Sequence, residues 1–120
     1  MPRFIKTPLF RVHEDAEQWT LASDCVYKSD LYEPLIIVPD GFITDLASIP
    51  VIFRSFLLRK NGKHRLAAVV HDFLCRDKSF NRVLADKIFL EAMKLCGVSW
   101  LRRSLMYSAV RLNTFRIKIL

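Results

Sequence analysis

The sequence predicts an α+β fold, a small N-terminal antiparallel β-sheet packed against a C-terminal bundle of three to four helices. Two observations carry it. Up to about residue 47 the apolar residues fall in short β-branched or alternating runs broken by turn residues, and from residue 48 they recur at helical spacing. The two halves also differ in charge: residues 1–50 carry a net −4 and residues 51–120 a net +11.

Residues 3–6 and 9–13 are the first short strand candidates. Trp19 to Ala22, followed by Val26-Tyr27, suggests another, and Leu35 to Val38 is the strongest, ending at Pro39. Pro39-Asp40-Gly41 has turn chemistry, after which Phe42-Ile43-Thr44 returns as a partner strand.

Ser48 then caps a helix entered at Ile49-Pro50 and ended by Asn61-Gly62, with Val51, Ile52, Phe53, Phe56 and Leu57 on its buried face. A second helix runs from about Lys63 to Cys75, with Leu66, Val69, Val70, Phe73 and Leu74 facing inward. Asn81 caps a third, to about Cys96, built on Leu84, Ile88, Phe89, Ala92, Met93 and Leu95 and closed by Gly97. Ser99 starts a fourth, which carries Leu101, Leu105, Tyr107, Ala109, Val110 and Leu112.

With 120 residues the chain has room for one core, so residues 1–120 form one domain, mainly strands over 1–47 and mainly helices over 48–120. Apolar residues at 52% and charged residues at 26% exclude disordered and fibrous classes. No apolar run approaches the ~18 residues of a membrane span, and the first residues lack the pattern of a signal peptide. Cys25, Cys75 and Cys96 are odd in number and widely spaced, which is neither a disulfide framework nor a zinc knuckle. A reducing cytoplasm, or a particle assembled there, is the expected compartment. The net charge of +7 suits a solvated helical exterior first, and an anionic lipid or acidic partner second. Nucleic acid ranks last, because no recognition motif or aromatic platform accompanies the cations.

Three segments place polar residues inside apolar surroundings: Gly41 to Pro50, Val69 to Leu74 and Val83 to Phe89. If residues 76–80 form a loop, His71 and Asp86 lie ~6 and ~7.5 Å from it on the two arms of a helical hairpin, nearly level. An imidazole–carboxylate bond across the hairpin would fix the tautomer and raise the basicity of the ring, as a general base needs. Asp72, turned ~100° from His71, would approach Asp45, where two carboxylates and loop carbonyls suit calcium. Asp45 can equally bond the amides of a helix N-terminus. Thr44, Ser48 and His64 would line the same cleft, and Cys75 would pack.

The elements Trp19-Thr20-Leu21, Val38 to Pro50 (Gly-Phe-x-Thr-Asp-x-Ala-Ser-x-Pro), His64, Ala67 to Leu74 and Ala85 to Phe89 resemble a family of short phage and prophage proteins known as a domain of unknown function. The resemblance covers about residues 19–112. It implies a protein of the infected host's cytoplasm or of the assembled phage particle, with phage tail proteins as partners. His71-Asp72-Phe73-Leu74-Cys75 with Asp86 on the next helix is also similar to the catalytic helix pair of phospholipase A2. That similarity implies His71 as the base that activates water, Asp86 as its orienting partner and Asp72 as a calcium ligand. Cys75 departs from it, standing where a tyrosine is usual, and so does the lack of a glycine-rich calcium loop. The expectation is a phage-encoded hydrolase-like domain, in one form metal-assisted, acting on an ester or envelope component, with an anionic membrane surface as an alternative partner to the tail proteins. Its rival is a non-enzymatic virion, tail or assembly protein.

Overall fold

A computed structural model describes residues 1–12, 19–44 and 64–119. Among these residues the N-terminal half holds six short strands: β1 (Arg3–Lys6), β2 (Phe10–Val12), β3 (Trp19–Leu21), β4 (Cys25–Lys28), β5 (Ile36–Val38) and β6 (Ile43–Thr44). Three helices follow, α1 (Arg65–Arg76), α2 (Arg82–Leu95) and α3 (Trp100–Ile119). The fold is α+β. The helix expected from Ile49 to Asn61 lies outside the described residues.

Instead of one sheet there are two, each antiparallel and three-stranded, in the orders β1-β4-β5 and β2-β3-β6. The stretch read as a single strand from Trp19 to Tyr27 divides between them. Its middle residues explain the break: Ser23 Oγ accepts from the Leu9 amide at 2.9 Å and Asp24 Oδ1 from the Asp40 amide at 2.7 Å. These side chains satisfy backbone donors where the chain leaves one sheet for the other.

In the first sheet Cys25 opposes Val38 and Tyr27 opposes Ile36. All four are buried, whereas Ile37 between them is about half exposed, the period-two pattern of a sheet covered on one face. In the second sheet Trp19 pairs with Thr44. Gly41 in the preceding turn has φ +88°, with nothing near its missing Cβ, so the backbone conformation is what requires glycine there.

The core joins the sheets to the helices through Leu21, Tyr27, Val38, Val70, Phe89, Met93 and Met106. Most of α1 is buried, from Ala67 to Asp72 and at Leu74. Leu95, Leu101, Leu105 and Leu112, in contrast, are exposed. Among the described side chains of α3, burial falls instead on Met106 and Val110, where that helix joins the core. No helix of the described residues is long and apolar enough to cross a membrane.

Candidate functional site

The loop between α1 and α2 is fixed by its own polar residues. Asp77 Oδ1 accepts from Ser79 N at 3.0 Å and Ser79 Oγ at 2.6 Å, and the Phe80 amide bonds the Asp77 carbonyl at 3.0 Å. These bonds hold the Asp77 carboxyl below its ordinary range. Asn81 then caps α2 through its side-chain oxygen, accepting from Val83 N at 2.8 Å and Leu84 N at 3.2 Å. A tight loop and a capped helix fix the register of the hairpin.

That register brings His71 Nε2 to 2.7 Å from Asp86 Oδ1, with the residues 1% and 0% exposed. Arg111 of α3 donates from Nη1 to Asp86 Oδ2 at 3.1 Å. Asp86 therefore links all three helices. A carboxylate paired with a guanidinium accepts only, so the imidazole proton sits on Nε2 and faces Asp86. In the neutral ring Nδ1 is then the atom with the lone pair. It is buried and has no hydrogen-bond partner among the described residues. Phe89 backs the ring, with centroids 4.7 Å apart.

Cys75 Sγ lies 3.4 Å from His71 Nε2. Burial pushes its thiol up to about 11, Arg82 opposing and Asp86 and Asp72 adding to the shift. It is thus a neutral thiol rather than a nucleophile. The ligand atoms of His71, Cys75 and Asp86 all lie within 4.8 Å of one another. Such a mixed nitrogen–sulfur–oxygen set suits a borderline ion such as zinc better than calcium. Metal binding there would have to displace the thiol proton and compete with Arg111.

Asp72 is buried, and its Oδ2 accepts from Arg76 Nη2 at 3.3 Å, one turn along. Arg76 also stacks over the Phe42 ring at 4.6 Å. Asp45 and Ser48 lie outside the described residues. Thr44 is fully buried in β6. His64, just before α1, is 3% exposed and leaves Nε2 without a partner among the described residues. Burial first, and then Arg65 and Arg102, bring its imidazole down to about 4, so it is neutral at pH 7. The cavity of about 270 Å³ lined by Arg11, Thr20, Leu21, Ala22, Asp40 and Gly41 contains none of these residues.

Arg111 is the participant that the sequence reading missed. The signal was present: Ala109-Val110-Arg111-Leu112 sets a cation in an apolar run, the pattern that drew attention to His71 and Asp86.

Residues 19–110 match a family model described as "Protein of unknown function (DUF1353)". No curated protein and no solved structure matches the chain.

Proposed function

The chain belongs to the DUF1353 family of proteins of unknown function, and we propose that within it this chain is a hydrolase-like domain with a His71/Asp86 dyad. One observation carries the reading: Asp86 takes Nε2 of His71 and leaves a lone pair on a buried Nδ1 that nothing described satisfies. A base oriented from behind in this way is what ester hydrolysis requires. His71 Nδ1 takes a proton from water as the water oxygen bonds to the ester carbonyl carbon. The same proton passes to the departing alkoxide when the carbon–oxygen bond breaks. Asp86 orients the ring and stabilises the imidazolium, and Arg111 holds the second carboxylate oxygen. The reading requires water to reach Nδ1. In the metal-assisted form Asp72 and Asp45 would hold calcium, which would polarise the carbonyl, and Arg76 is its competitor at Asp72.

The second reading is favoured by the burial of both partners and by Arg111, which neutralises Asp86. In it the network ties three helices of a non-enzymatic phage virion, tail or assembly protein. The phage setting of both readings rests on the motif resemblance.

Turnover of short-chain esters and anionic phospholipid vesicles, with and without calcium, separates them when combined with chemical melts. The dyad reading expects His71→Gln and Asp86→Asn to remove turnover, with His71→Gln still folded. Destabilisation of both variants, with no turnover by the parent chain on any ester, would establish the structural reading.

A further inference from the structure

The buried side of α3, at Met106 and Val110, packs inward with 2% exposure at each. On the opposite side Leu101, Leu105 and Leu112 are 59%, 41% and 61% exposed. At ~100° per residue they share an arc of ~40°, and exposed Ser108 lies ~20° beside it. Trp100, 69% exposed, lies ~100° from Leu101 at the start of the helix and widens the apolar face. Leucines repeated on the solvent side of a helix contradict the usual pattern, in which that side is polar.

The charge of the helix indicates what covers them. Residues 100–119 contain five Lys/Arg and no Asp/Glu. Two copies, each of net charge +7, would repel on approach, which disfavours self-association. A partner helix would need only the narrow leucine seam, whereas Trp100 broadens the face and is a side chain suited to the lipid–water boundary. We propose that the outer face of α3 docks on an anionic phospholipid bilayer, with Trp100, Leu101, Leu105 and Leu112 entering the headgroup region. The chain's net charge of +7 supplies the attraction to lipid phosphates, Arg111 being held by Asp86, and the chain lies on the membrane without crossing it. The inference does not depend on the dyad reading.

The test is sedimentation of the full chain with vesicles of mixed phosphatidylglycerol and phosphatidylcholine, against vesicles of phosphatidylcholine alone. Binding should be about tenfold or more tighter to the anionic vesicles and should weaken as salt rises. In a Trp19→Phe variant, which isolates Trp100, the emission should shift to the blue on binding. The double variant Leu101→Glu/Leu105→Glu should keep the parent melting curve and lose binding at least about tenfold. If it fails to fold, Leu112→Gln takes its place with a smaller loss. His71→Gln should bind as the parent does, which separates this result from any loss of turnover. Equal binding to neutral vesicles, or full binding by the leucine variants, overturns the proposal. So does a dimer that the leucine variants dissociate, or capture of a synthetic acidic amphipathic helix with no vesicle binding.

Discussion

Helix α2 carries two carboxylates, five residues apart, that each reach across the fold, and they end in different states. Glu91 accepts from the Tyr27 hydroxyl at 2.7 Å and from the Asp30 amide at 3.1 Å, tying the first sheet to the helices. Burial first, and then the hydrogen bond and charge of Glu91, push the Tyr27 phenol up, so it remains a donor. Neither a phenol oxygen nor an amide leaves a basic nitrogen over, and the contact is complete. Asp86 pairs with an imidazole and a guanidinium in full burial, and the imidazole has a second nitrogen. A carboxylate bonded to histidine can therefore anchor a fold and still leave a basic atom over, which one bonded to tyrosine cannot.

Removing Asp86 is the strongest way to break that comparison. Asp86→Ala leaves a buried imidazole and a half-buried cation without their carboxylate, and should cost about 3–5 kcal/mol in a chemical melt. A loss below about 1 kcal/mol would mean that the network ties nothing.

Acid probes the other buried imidazole, that of His64. His64 lies at about 4 in the folded protein, below its ordinary value of 6.5. The unfolded chain takes up a proton that the folded protein refuses. This contribution to stability is therefore whole above pH 6.5 and is lost as pH falls from there towards 4. Its size is about 3 kcal/mol by linkage. Melts of the parent and of His64→Asn at neutral and acid pH check it: the variant should show the smaller acid loss.

His71→Gln comes next. An amide keeps one bond to Asp86 but fits the Nδ1 side poorly, and a loss of about 1–3 kcal/mol is expected. The smallest effect belongs to Tyr27→Phe, about 1 kcal/mol, because Glu91 retains the Asp30 amide and reaches solvent. Tyr27→Phe should leave any turnover unchanged, and equal losses of turnover in the two variants would erase the distinction between the carboxylates.

The dyad was legible because α-helical rise converts sequence separation from a loop into height, and Cys75 and Asn81 bracket that loop closely. The pairing of Arg111 was not, although its place in an apolar run was visible, since its approach depends on the direction in which α3 leaves α2, a tertiary quantity. The second sheet was hidden for a related reason: Ala22-Ser23-Asp24 interrupts two runs without the glycine or proline that announces a turn. Leu95 and Leu101 were placed on their helices by periodicity alone, and periodicity finds an apolar stripe without saying what covers it. Asp72 was directed towards Asp45, which lies outside the described residues; the arginine one turn away on its own helix, which also reaches it, was not weighed.

The α2–α3 corner governs more than its size suggests. Gly97 sits at φ +81°, its amide bonds the Lys94 carbonyl at 3.2 Å, and the Val98 amide bonds Met93 at 3.0 Å, the paired closure of a Schellman motif. Arg111 lies eleven residues into α3, a lever arm of ~16 Å. A tilt of ~10° at the corner would swing its base by ~3 Å, further than a hydrogen bond stretches. One left-handed residue thus acts as the fulcrum that aims a guanidinium at a carboxylate a helix length away.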